Sequence, residues 1–317
     1  MQPRPSVEQR APMARPGMFQ RLQRAARADG ISIPGMGLRV LVLLLFAIFF
    51  GLPLIWIVLA PTKTDTQLLD WPPLAFGSLD RALLAWKNLF GYGENSVAIW
   101  SRNSVVYTIS SLLLSIAISL PAGYALAISR FAGRQFLLWA TLISMILPGS
   151  ALVLPLFLEM SLVRLTNTPW SVILPAGFFP FGVYLTYIFY ATSLPKDLLA
   201  AARVDGCSEF QMFYYIGLPL ARTLFGLLIF IAFTSNWNNY FLPLVMLNDD
   251  RLYNLPLGIQ ALISGTSALR PTFATDLPIR RAEVALAGLL LIVPVVIIFL
   301  FSQRYVVSGA LTGSTKE

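Results

Sequence analysis

No histidine occurs in these 317 residues, and cysteine occurs once, as Cys207. An internal disulfide is therefore impossible. A Cys/His zinc site is excluded, and so is any catalytic triad that needs an imidazole base. Charge is scarce as well: 12% of residues are charged, against about 25% in soluble domains. The string G-x-x-x-x-G-K-[ST] is absent, so no Walker loop is present to cradle a nucleotide phosphate. Within the long apolar runs ionisable residues are nearly missing; Glu159, close to a helix end, is the exception. Ion-coupled carriers usually hold acids or cations at membrane depth for the coupling ion. Energy for any work must reach this chain from outside it.

What is plentiful is apolar residues, 56% of the total. Six runs, 38–60, 103–128, 136–160, 170–194, 219–247 and 284–303, approach or exceed the roughly 20 residues that cross a hydrocarbon core as helix. None alternates with the ten-residue rhythm of a membrane barrel. The expected fold is therefore all-α and integral to the membrane, with six transmembrane helices. Seven arginines, Arg4, Arg10, Arg15, Arg21, Arg24, Arg27 and Arg39, stand at the N-terminal side of the first run. With Arg130, Arg134, Lys196, Arg203, Arg222, Arg304 and Lys316 they put 14 of the 23 basic residues on one side of the membrane. The basic side is cytoplasmic by the positive-inside rule, so both termini are placed there. Beside a membrane span this basic tail reads as a topology signal, not a nucleic-acid site.

The organisation expected is a disordered basic tail at 1–37, a six-helix membrane domain at 38–303, and a cytoplasmic tail at 304–317. The domain holds an external loop, 61–101, and a cytoplasmic loop, 195–218. The tail is rich in proline and has no apolar period. The first run is longer than a signal-peptide core and lacks an A-x-A site, which reads as an uncleaved anchor. The external loop carries Trp71, Phe76, Trp86, Phe90, Tyr92 and Trp100. These serve equally as an ordered cap on the membrane surface or as an interfacial aromatic belt.

Residues 197–219 are a polar amphipathic island between apolar runs. Asp205-Gly206 can stop a helix, because glycine tolerates the left-handed conformation past a C-terminus. Ser208 with Gln211 is a capping-box pattern that can start the next. Pro219 is expected to open the fifth membrane helix, where its missing N–H costs nothing. Two short helices at one membrane face make a docking knob for another protein. The spacing Ala201-Ala202, Asp205-Gly206, then Ile216, Leu218 and Pro219 resembles the EAA loop of ABC importer permeases. Ala200 stands where that motif begins with Glu. Asn103-Ser104, Pro121, Gly123-Tyr124-Ala125, Arg130-Phe131, Pro148 and Pro155 follow the same family in order. Among its members the chain looks most like a carbohydrate-importer subunit of the maltose-permease type.

The resemblance implies the type I importer permease fold and an ATPase-coupling loop using Asp197, Ala200, Ala201, Ala202, Asp205, Gly206 and Phe210. It implies two cytosolic ATPase subunits that bind the ATP and Mg, and no cofactor in this chain. It also implies an extracytoplasmic solute-binding protein, for which the external loop 61–101 would be a docking surface, and residence in a bacterial or archaeal inner membrane. Gln303-Arg304 followed by Gly309 and Gly313 is similar to the tail that reaches the ATPases in that family. Six helices enclose no channel alone, so a second, non-identical permease subunit is expected beside the lipid bilayer.

The substrate path is sought in the fifth run, the least apolar. Thr234-Ser235-Asn236-Trp237-Asn238-Asn239-Tyr240 is costly facing lipid and belongs toward the bundle interior. Asn236, Trp237, Asn238, Asn239 and Tyr240 are the candidates: amides satisfy hydroxyls, and aromatic faces stack on sugar rings. The same cluster can simply join helices. Prolines at 148, 155, 175 and 180 permit bends that need protein or water cover, as around a central cavity. A sugar or sugar-like neutral solute fits the uncharged interior. A glycerophosphodiester, amino acid or peptide cargo is the alternative within the class; an ion-coupled carrier or membrane enzyme is the alternative outside it.

Overall fold

The computed structural model describes residues 33–265 and 279–312. Of the basic tail expected to be disordered at 1–37, residues 1–32 lie outside the described residues, as do 313–317, while 33–37 are helical rather than disordered. The chain divides into two compact units, 1–56 and 57–317. Most of helix α1, Ile33–Leu59, falls in the first and covers the first predicted run. Among the described residues its window of highest hydropathy is unburied, and its side chains from Leu38 to Val58 are largely exposed.

The segment after α1, expected to be the external loop, folds into a tight turn and two helices. Thr62 Oγ1 donates to the Leu59 carbonyl and accepts from the Gly77 N–H, while the Thr62 carbonyl accepts from the Ser78 N–H. A Cβ on Gly77 would lie 2.0 Å from that carbonyl oxygen, so this crossing requires glycine. Lys63 is buried and donates to the carbonyls of Pro72 and Pro73 at 3.1 and 2.9 Å. Helix α2, Asp65–Asp70, starts from a complete capping box at Thr64 and Gln67. Helix α3, Leu79–Phe90, starts from Ser78, whose hydroxyl accepts the Arg81 N–H.

Helix α4, Ser96–Ile128, is the second span. It begins at Ser96, not at Asn103 as the hydropathy implied. Val97 and Trp100 are buried, so the polar first turns still have a core face to hold them. Facing it are α7, Trp170–Gly177, and α8, Pro180–Ser193, two parts of one span broken at Phe178 and Phe179 beside Pro180. Ser104, Thr108, Ser111, Ser115 and Ser119 form a buried stripe on α4. Ser111 donates to the Ile173 carbonyl at 3.3 Å and Ser115 to the Ala176 carbonyl at 3.4 Å. A Cβ on Gly123 would come within 2.5 Å of Thr186 Cβ. Such small-residue contact is how helices gain packing where lipid offers no hydrophobic drive.

The third run is not one helix. It forms α5, Arg134–Ile146, and α6, Gly149–Leu162, bent by 113°. Leu147 and Pro148 are both extended, because proline disfavours the helical region in the residue before it. Each piece is about 20 Å long at 1.5 Å per residue, short of a ~30 Å core. The fifth run is broken twice. After the short helices α9, Lys196–Val204, and α10, Glu209–Leu220, the chain turns by 77° into α11, Arg222–Trp237. Pro219 therefore sits near the end of α10 and does not open the membrane helix as expected; the break falls at Ala221, which is fully buried. Residues 213–217 of α10 wind as a π-helix. Beyond Asn238 to Tyr240 the run resumes as α12, Phe241–Met246. Helix α13 is Leu255–Ser264, and α14 is Arg281–Thr312, so helix continues past the expected limit at 303.

Two buried clusters set the ends of the bundle. Near the end that carries α3 and α13, Leu89, Trp100, Phe233, Trp237, Leu255, Ile259 and Ala287 pack together. Near the other, Leu120, Tyr124, Tyr190, Leu199, Ala202, Met212, Ala221 and Leu228 do so. The second cluster matters for function, because it includes residues of α9 and α10.

Candidate functional site

The α9–α10 hairpin is closed by backbone chemistry. Gly206 has φ +81°. The Gly206 N–H donates to the Arg203 carbonyl at 3.1 Å and the Cys207 N–H to the Ala202 carbonyl at 2.9 Å. This bond pair is a Schellman stop, and it consumes carbonyls that would otherwise be orphaned. Ser208 and Gln211 complete the capping box: the Gln211 N–H donates to Ser208 Oγ at 3.3 Å, and the Ser208 N–H to Gln211 Oε1 at 2.8 Å. Arg203 pairs with Glu209 at 3.0 Å across the turn. Both side chains are about half exposed, so the pair adds at most ~1 kcal/mol.

The hairpin has an inner and an outer face. Leu199, Ala202 and Met212 are buried among Tyr124, Tyr190, Leu194, Leu224 and Leu228, which belong to membrane helices or their ends. Asp197, Ala200, Ala201, Asp205 and Gly206 are exposed, with Leu198 and Val204 beside them. Phe210 is 73% exposed and stacks on Tyr214 at 6.5 Å. Ala202 thus departs from the other candidates: its side chain points into the bundle and cannot be part of an outward surface. The pattern is a firm rear attachment with an apolar front.

The membrane cavity is separate. It holds about 380 Å³ and is lined by Gly149 and Ser150 at the α5–α6 bend, by Pro175 and Ala176, by Phe178 and Phe179 at the α7–α8 break, and by Ser235, Asn236, Asn239 and Phe241 around the α11–α12 break. Three interrupted helices converge on it. Its polar side chains are serines and asparagines, and none carries charge. Asn236 and Asn239 are the two sequence candidates that reach it. The Asn239 carbonyl accepts from Asn254 Nδ2 at 2.6 Å, which holds the break open.

The other three candidates are elsewhere. Trp237 is buried; its indole N–H donates to the Leu291 carbonyl on α14 at 3.0 Å, and its ring stacks on Phe233 at 5.6 Å. Asn238 caps α11, donating to the Thr234 carbonyl at 3.0 Å. Tyr240 precedes α12 and does not line the cavity. Sequence reading missed Ser150, Phe178 and Phe179. The available signal was their position beside Pro148 and Pro180, where helices must open.

The end of the bundle opposite the hairpin is tied by side chains of α4. Trp100 Nε1 donates to the Asp250 carbonyl at 2.8 Å, Asn103 Nδ2 to those of Arg251 and Tyr253 at 2.8 and 3.0 Å, and the Tyr107 hydroxyl to that of Leu252 at 2.8 Å. The loop after α12 is therefore fixed over the cavity's helices.

Residues 119–311 match the family described as "Binding-protein-dependent transport system inner membrane component". The chain is 35% identical over 268 residues to an arabinooligosaccharides transport system permease protein of Halalkalibacterium halodurans, covering 83% of this chain and 90% of that one. It is 30% identical over 276 residues to a lactose transport system permease protein of Rhizobium radiobacter, with 87% and 94% covered. Among solved structures it is similar to a chain of a bacterial ABC transporter involved in the import of the acidic polysaccharide alginate. The TM-score is 0.71 at 20% identity, with 89% of this chain and 98% of that chain covered. That likeness shows the fold.

Proposed function

This chain belongs to the binding-protein-dependent transport system inner membrane component family, and on that premise we propose that it forms one half of the translocation pathway of an ATP-driven importer for a neutral oligosaccharide. It is the permease component; ATP hydrolysis is the work of a separate subunit. Its coupling element is the α9–α10 hairpin. Two ATPase subunits closing on ATP push on the exposed Leu198, Val204 and Phe210 face. The hairpin cannot yield locally, because Leu199, Ala202 and Met212 are packed into the membrane bundle. The push therefore moves α11 through the 77° elbow, and α11 carries Ser235 and Asn236 at the cavity wall.

The single observation that carries this reading is the two-faced hairpin, closed by Gly206 and rooted among the membrane helices. The cargo reading rests on the cavity. Amides and hydroxyls match sugar hydroxyls, phenyl faces match sugar C–H surfaces, and no cation is offered to an anionic group. The named sugar relatives support the same class. A second permease subunit completes the pathway, and a solute-binding protein delivers the cargo to the external face.

The test is uptake by the assembled transporter in vesicles containing ATP, with its binding protein outside, against a panel of neutral oligosaccharides, acidic oligosaccharides and glycerol phosphodiesters. Neutral oligosaccharides are expected to enter and to stimulate ATP hydrolysis. Stimulation confined to the anionic members would overturn the cargo assignment. Uptake unaffected by removing ATP would overturn the class of mechanism.

A further inference from the structure

Helix α3 takes no part in the cavity or the hairpin, yet it has three distinct faces. Its inner face holds Ala85 and Leu89, both fully buried, together with Arg81 and Asn88. Glu283 in the first turn of α14 is fully buried and receives them: its Oε1 accepts from Arg81 Nη2 at 2.8 Å and from Asn88 Nδ2 at 3.1 Å, while its Oε2 accepts from the Arg280 N–H at 3.0 Å. A second face carries Asp80 and Lys87, both exposed. A third is bare and apolar: Leu79, Leu83 and Trp86 are 70%, 68% and 50% exposed. At 100° per residue these three fall within about 60° of one another, roughly a quarter turn from Asp80 and Lys87.

The depth of this helix is set by Glu283. Arg281–Gln303 is a membrane span of mean hydropathy 3.1. Glu283 lies about 3 Å inside its start, so α3 is held at the water boundary of that span. An apolar face there, with protein on one side and charge on the other, has the chemistry of a helix lying in a bilayer interface. Trp86, stacked on Phe90 at 4.3 Å, and exposed Trp71 are the ring types that favour headgroup level.

We propose that α3 is an interfacial helix whose Leu79–Leu83–Trp86 face is seated in the phospholipid leaflet, with Glu283 as the buried pin that fixes α14 to it. The outer end of α14 then keeps a constant depth while the cytoplasmic hairpin moves. This assignment concerns membrane seating and is independent of the cargo.

Nitroxide labels at Leu79→Cys, Leu83→Cys and Lys87→Cys, each in a Cys207→Ser background, test it in the assembled transporter. The vesicles are phosphatidylcholine with phosphatidylglycerol, and collisions with oxygen and with a water-soluble nickel chelate are compared. Labels at 79 and 83 are expected to favour oxygen several-fold over nickel, and the label at 87 to favour nickel. Nickel preference at 79 and 83 would mean a water-facing docking surface and overturn the proposal. Poor access to both reagents would mean cover by another subunit and overturn it equally. If one apolar-face variant fails to assemble, the other gives the same reading.

Discussion

Gly206 shows how a residue with no side chain can matter through its backbone alone. A Cβ there meets no atom within 4 Å, so a side chain has room. Its cost is the backbone, held at φ +81°, where an ordinary L-residue pays roughly 1–2 kcal/mol and Asn pays less. Gly206→Ala is therefore expected to lower hairpin stability by about 1 kcal/mol and to weaken coupling, with Gly206→Asn closer to the parent. The ratio of sugar uptake to ATP hydrolysed is the measurement; an unchanged ratio in Gly206→Ala would remove this turn from the coupling path. At the cavity, a cysteine scan in the Cys207→Ser background separates neighbours. Asn236→Cys and Asn239→Cys should react with a small membrane-impermeant thiol reagent and change with ATP. Trp237→Cys should stay unreactive, because that side chain packs toward Leu291. Equal labelling at all three would contradict the orientation described. The sequence showed that this stretch is too polar for lipid. It did not show which amide faces the cavity, since a break after Trp237 resets the helical phase.

Among the elements, the α4–α8 contact is held by absence of bulk. Gly123→Val would force a branched side chain into Thr186, and overpacking of this kind costs about 1–3 kcal/mol. The expected result is a lower unfolding temperature and less mature protein in membranes, and a wild-type melting curve would refute the close approach. The α3–α14 pin behaves oppositely. Among the described residues, Arg81→Leu leaves the fully buried Glu283 carboxylate with Asn88 and the Arg280 N–H as partners. Removing one partner of a buried pair costs about 3–5 kcal/mol, so this variant should be among the least stable single substitutions in the chain; Arg81→Leu combined with Glu283→Leu should recover much of the loss. Prolines announced the bends. Leu147-Pro148-Gly149 marked a break, but hydropathy averages across it and reported a single run. Pro219 misled for a related reason: proline is permitted in the first turn of any helix, and here the chain turns two residues after it, at buried Ala221.

For the whole molecule, charge makes a prediction about topology. The excess of Lys and Arg on one side predicts that exposed Cys207 reacts with an impermeant maleimide in inside-out vesicles and not in right-side-out ones. Labelling of right-side-out vesicles would invert the assignment. The sequence by itself determined the all-helical membrane class, the approximate runs and the hairpin at Asp205-Gly206. Each of these rests on local quantities: apolar length, charge asymmetry, and the φ > 0 tolerance of glycine beside a capping box. Only the tertiary structure decided that Ala202 turns inward while Phe210 turns out, that Trp237 belongs to the core, and that Ser150, Phe178 and Asn239 meet around one cavity. Those outcomes depend on contacts between residues far apart in the chain, and on bends of 113° and 77° whose angles no local pattern encodes.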